Sequence, residues 1–194
     1  MMANDKFERF AEEFEAAWNE DLRAADVRAM VMGPSLRGRA DPETKRARML
    51  RKAIVERCNV LGVAVVPEHK RLVATTQKSL ARGHNLCLHE LRLAAKCDLI
   101  IIVPASAGPL VELGMFAERQ CLTGKAVLIV FNRTYKRRKS FINDGPRRAY
   151  ERLRATILDV DYTNESGLAR VLDMVGTLVE YERATKVSRR TRRI

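Results

Sequence analysis

Two glutamates and a glycine-rich loop, each beside an apolar run, supply the residue types for nucleophilic and acid–base chemistry next to a bound phosphate. Glu112 lies in Pro104–Gly114, reading PASAGPLVELG, directly behind the apolar run Leu99–Val103. With Gly108 as N-cap and Pro109 as first helical residue, Glu112 falls in the first turn of a helix, close to Ser106. A carboxylate at that point can act as a nucleophile. The helix dipole, which favours acidic residues in first turns, accounts for it equally well. Glu90 stands eight residues ahead of Asp98, in HNLCLHE. A helical glutamate ordinarily faces solvent. Facing the sheet mouth instead, it would share a pocket with Glu112, and two such acids split their pKa values so that one attacks while the other carries a proton.

The loop GPSLRGR, Gly33–Arg39, offers bare backbone at Gly33 and Gly38, a hydroxyl at Ser35, and guanidiniums at Arg37 and Arg39. Those groups suit phosphate. The loop lacks the Gly-Lys-Ser/Thr ending of a Walker A motif and does not match the dinucleotide fingerprint. An ordinary strand-to-helix turn has the same composition.

The elements that must position these residues follow from periodicity. Phe7, Phe10, Phe14, Ala17, Trp18 and Leu22 recur at helical spacing opposite Glu12, Glu13 and Glu15, predicting an amphipathic helix over Asp5–Ala25. Its aromatic stripe caps the core or joins a second copy. Val27–Met32 and Gly62–Pro67 read as strands around a helix that starts at Asp41-Pro42, and residues 68–83 read as loop. His84–Lys96 reads as helix, Leu99–Val103 as a strand covered on both faces, Pro109–Leu122 as helix and Lys125–Phe131 as the next buried strand. A basic loop runs to Gly145, then a helix (Pro146–Ala155), a strand (Ile157–Val160) and a last helix (Glu165–Arg183). This alternation predicts a doubly wound, Rossmann- or flavodoxin-like α/β sheet of about five mainly parallel strands, with the N-terminal helix as an addition. Residues 1–183 form one domain in this reading, and 184–194 a basic, disordered tail.

Composition narrows the classes. The 194 residues are 46% hydrophobic and 31% charged, a globular balance. No apolar run is long enough to span a bilayer, and the acidic amphipathic start is not a secretory signal, so the cytoplasm is expected. Cys58, Cys87, Cys97 and Cys121 fit no zinc or redox spacing and read as reduced core thiols. His69, His84 and His89 show no ligand pattern, and neither metal nor cofactor is expected. Of the net charge of +12, five units fall in 133–139 and five in 186–193. Such clusters attract nucleic acid or nucleotide phosphate; they also occur as solvated loops and frayed tails.

Taken together, VMGPSLRG, Glu90 before Asp98, and SAGPLVELGMFA resemble the nucleoside 2-deoxyribosyltransferase family, including its nucleotide N-glycosidase branch. The resemblance covers about Val27–Phe131, and its most specific piece is SAGPLVELG. It is also similar to the deoxyribosyltransferase-like effectors of anti-phage systems such as retrons, as is FINDGPRRAYE, Phe141–Glu151. The resemblance implies that Glu112 is the nucleophile at the anomeric carbon of an N-glycoside and that Glu90, where the family more often has Asp, serves proton transfer or holds the sugar. It implies that Gly33, Ser35, Arg37 and Gly38 hold a phosphate or sugar. Ser106 stands where the transferases often carry a sugar-binding aspartate, with Gly108 beside it, and Asn132 with the basic loop closes over the ligand. The expected substrate is a nucleoside or nucleotide. NAD is an alternative, as is a non-catalytic nucleotide sensor of the same fold, or a protein that grips nucleic acid through 133–139 and 184–194. Relatives commonly complete their sites across a subunit interface, so a homo-oligomer is expected, with Phe7–Trp18 as a contact surface.

Overall fold

The computed structural model describes residues 2–36, 39–66, 77–78, 86–117, 122, 124–133 and 143–191, leaving aside the side chains at 2–11, 14, 66, 86–89, 107–108, 112, 143–144 and 191. Helix α1 (Met2–Ala24) precedes β1 (Arg28–Met32), α2 (Pro42–Val60) and β2 (Ala64–Val66). Then come α3 (Leu86–Ala95), β3 (Leu99–Ile102), α4 (Ala107–Ala117) and β4 (Ala126–Asn132). A π-helical turn, Asn143–Arg147, runs into the short α5 (Arg148–Arg152), followed by β5 (Thr156–Val160) and α6 (Glu165–Thr191).

The strands form one sheet in the order β2-β1-β3-β4-β5, every neighbouring pair parallel. Ala29 pairs with Leu99, Ile102 with Ile129, and Asn132 with Val160. Alternate strand residues point to opposite faces, and both faces are covered, which is why LIII is apolar throughout. On one face Ala29, Val31, Leu99, Ile101, Leu128 and Val130 meet Leu50 and Ile54 of α2 and Val171, Val175 and Val179 of α6. On the other, Met30, Met32, Ile100, Ile102, Ile129 and Phe131 meet Ala94 of α3, Leu113 and Phe116 of α4, and Tyr150 of α5. The doubly wound α/β architecture expected from the alternation is the observed one.

Several element ends differ from the periodicity. Helix α4 begins at Ala107 rather than Pro109, because the Leu110 amide donates to the Ser106 carbonyl at 3.1 Å. Ser106 is thus the N-cap position, in place of Gly108. Proline is tolerated at the third helical position since the first four amides of a helix have no partner to lose. Gly108 before it lacks the Cβ that would press on the proline ring. Helix α5 starts late because Asn143–Arg147 takes π-helical geometry around Pro146.

The last helix does not stop at Arg183. It continues to Thr191, so residues 184–191 are helical. Val187 is buried, the Lys186 ammonium bonds Asp98 Oδ2 at 2.7 Å and the Asp26 carbonyl, and Arg183 donates to the Leu61 carbonyl. Asp98 Oδ2 also accepts from the Arg28 amide at 2.9 Å. The end of α6 therefore fastens the amino edge of the sheet. Helix α1 lies along α6, with Asn19, Leu22 and Arg23 facing Thr177, Tyr181 and Arg183 across a groove.

Candidate functional site

The chain leaves β1 toward α2 on one face and leaves β3 toward α4 on the other. Between these exits the strand order reverses, opening a crevice at the carboxyl edge, where doubly wound sheets take their ligands. One further backbone bond, Val103 N–H to the Met32 carbonyl at 2.9 Å, extends the β1–β3 ladder to the crevice floor. There Gly33 passes close to its neighbours. A Cβ on it would lie 3.0 Å from Arg51 Cδ and 3.5 Å from Val103 Cβ. Arg51 Nη1 donates to the Pro34 carbonyl at 3.1 Å and lies 3.5 Å from the Gly33 carbonyl. Pro34 is buried and Ser35 is exposed.

The opposite wall is the turn from β3 into α4. The Ala105 amide donates to the Val103 carbonyl at 3.0 Å, and Ala105 and Ser106 are half-buried. Asn132, the last residue of β4, is half-buried on the same edge of the sheet. The fold thus gathers Gly33, Ser35, Ser106 and Asn132 along one edge. Arg37 and Gly38 lie outside the described residues. So do the side chain of Glu112 and the surroundings of Gly108, both of which stand on the backbone of α4.

With α4 starting at Ala107, Glu112 is in its second turn and no acidic residue occupies the first. The helix dipole, which acts within the first turn, therefore accounts for Glu112 less well than the sequence spacing suggested. Glu90 stands halfway along α3, on the face of the sheet that α4 also covers. It is half-buried, and burial pushes its carboxyl above the usual range. The solvent-facing condition of an ordinary helical glutamate does not describe it. A carboxyl held so keeps its proton to higher pH, which suits a proton donor.

The start of α2 is legible in the sequence, whereas its contacts at the crevice are not. Asp41 is the N-cap, with Pro42 following it. The Thr44 amide donates to Asp41 Oδ1 at 3.0 Å and the Thr44 hydroxyl to Oδ2 at 2.5 Å. Those two bonds, hydroxyl first, hold the Asp41 carboxyl below its ordinary value. The Thr44 hydroxyl also lies 3.4 Å from the Ala105 carbonyl, joining α2 to the far wall. A carboxylate already occupies the amino end of α2, so that helix end does not act as a cradle for phosphate.

Toward β5, Arg147 is gripped by Asp159, Nη1 to Oδ1 at 2.8 Å and Nη2 to Oδ2 at 2.6 Å. Its guanidinium lies over the Phe131 ring, 5.4 Å from the centroid. This knot fastens the segment behind β4 to the edge strand. Nothing in the one-dimensional pattern marks a pair twelve residues apart, although Arg147 lies in the FINDGPRRAYE stretch.

Cys58 and Cys97 are buried, and burial pushes both thiols up to about 11, so they are packing residues rather than nucleophiles. Among the described residues no group of three or more His, Cys, Asp or Glu side chains is arranged to hold a metal ion. Among the same residues no helix is long and apolar enough to cross a membrane.

A comparison with curated proteins gives no match. A family model does match, over a stretch that includes Glu90, Ser106, Gly108, Glu112, Asn132 and the Phe141–Glu151 segment, and that begins after the loop Gly33–Arg39. With its doubly wound sheet and its crevice at the switch point, and matching over residues 46–192 the family described as STM3845 retron effector protein, the chain belongs to that family.

Proposed function

We propose that this retron effector cleaves the N-glycosidic bond of a nucleoside or nucleotide bound in the crevice between β1 and β3, as an anti-phage effector. The observation that carries the reading is the run Ser106–Gly114, with its Glu-Leu-Gly, leading away from the switch point of the sheet. Two features add to it: the half-buried Glu90 on the same face and the chain's membership of a retron effector family.

In this mechanism the Glu112 carboxylate attacks the anomeric carbon as the bond to the base nitrogen breaks. The electron pair of that bond goes to the base, which takes the Glu90 proton. Water then adds at the anomeric carbon, giving a proton to the Glu90 carboxylate, and the sugar–Glu112 ester opens to restore the nucleophile. Gly33 and Ser35 on one side and Ser106 and Asn132 on the other hold the sugar. Arg37 and Gly38 take up a phosphate where one is present, and the Asp41 carboxylate keeps that phosphate away from the start of α2.

The test is a chromatographic screen for free base after incubation with nucleosides, nucleotides and NAD. Release from a nucleoside or nucleotide, lost in Glu112→Gln with the thermal midpoint unchanged, supports the proposal. Release from NAD alone moves the same chemistry to a glycohydrolase. Binding of a nucleotide without any release makes the chain a sensor.

A further inference from the structure

Helix α2 is laid against β1 by Ala47, Leu50, Ile54 and Cys58, all fully or almost fully buried. Arg51 follows Leu50, and its position beside the apolar stripe turns its stem toward the exit of β1. There the stem fills the space that a side chain on Gly33 would need, and the guanidinium reaches the carbonyls of Gly33 and Pro34. These two carbonyls lie just beyond Met32, whose own carbonyl makes the last bond of the β1–β3 ladder, to Val103. A backbone that has left the sheet still has to satisfy its polar groups. A planar guanidinium with several donors can serve successive carbonyls at once, where an ammonium is a single point.

We propose that Arg51 is a positioning residue for the β1 wall of the crevice. It fixes the path of Gly33, Pro34 and Ser35 from beneath, and so sets how tightly that wall holds the ligand without touching the ligand or the reacting atoms. The part of this proposal that concerns substrate rests on the glycosidase reading; the part that concerns the loop does not.

The experiment compares wild type with Arg51→Met and Arg51→Lys by amide hydrogen exchange and by base-release kinetics. In Arg51→Met the amides of Ser35 and Leu36 exchange about tenfold faster or more, the scale expected from losing a hydrogen bond made by a charged donor. KM for the released-base reaction rises by a similar factor while kcat stays within about twofold, because only ligand holding is lost. Arg51→Lys recovers part of both effects, since its ammonium still reaches one carbonyl. Unchanged exchange at Ser35 and Leu36 in both variants overturns the proposal. So does a fall in kcat that simply follows the folded fraction, with KM unmoved. Should wild type release no base from any substrate, the glycosidase reading fails while exchange at Ser35 and Leu36 still decides whether Arg51 holds the loop.

Discussion

A guanidinium held in two short bonds in a mostly buried place reveals its strength when one partner is removed. Arg147 and Asp159 are 15% and 12% exposed, so water screens them little. The pair raises the pKa of Arg147, the Asp159 hydrogen bonds contributing most. Among the described residues, Asp159→Ala leaves the cation against Phe131 with the weaker, more exposed Glu151 contact at 3.4 Å. The expected loss is about 3 kcal/mol in urea unfolding. Replacing both partners by apolar residues of similar volume should return most of it, which separates a stranded charge from lost packing. At Glu90 the expected signature is in the rate. Its carboxyl is raised, so the protonated form needed by the leaving base persists above the ordinary range and is lost as pH rises through the raised value. Base release should therefore fall on the alkaline side, with a limb that Glu90→Gln removes along with about 10²-fold or more of the rate. An alkaline limb that survives in Glu90→Gln would assign the proton to another group.

At the scale of elements, the end of α6 does the work of a clasp. Truncation after Arg183 removes the buried Val187 and the Lys186 bond to Asp98, leaving that carboxylate at the amino edge, among the described residues, with the Arg28 amide. The expected cost is about 3 kcal/mol, read as a lower thermal or urea midpoint. Arg189→Ala with Arg190→Ala, at two exposed positions, should move the midpoint far less, since Arg189 acts on the buried Glu182 carboxyl through its charge alone. The double variant is therefore the clean test of nucleic-acid contact, whereas truncation confounds it with folding. The sequence hides this clasp. Lys186, Arg189 and Arg190 read as a frayed basic end because the partners of Lys186, Asp98 and the Asp26 carbonyl, lie at strand starts far away in the chain. LIII and AVLIVF were legible for the opposite reason: a parallel strand buried on both faces writes its burial as an unbroken apolar run. The start of α4 was blurred by a proline that fits more than one position of a first turn.

For the molecule as a whole, strand alternation sufficed for the sheet class, and strand order then located the crevice without any side chain. What stayed out of reach were the supports. Arg51 under Gly33, Thr44 beside Ala105 and Arg147 on Asp159 are contacts between residues whose types, taken singly, suit any solvated helix face. Two of them tie α2 to the crevice walls, which makes that helix the frame of the site as well as half of one core layer. A glutamate of α4 acting at that crevice is the centre of the mechanism, and its most direct test is base release by Glu112→Gln beside wild type. Wild type should release free base from a nucleoside or nucleotide, and the variant should lose about 10³-fold or more of that rate at an unchanged thermal midpoint. Undiminished release by Glu112→Gln would contradict it.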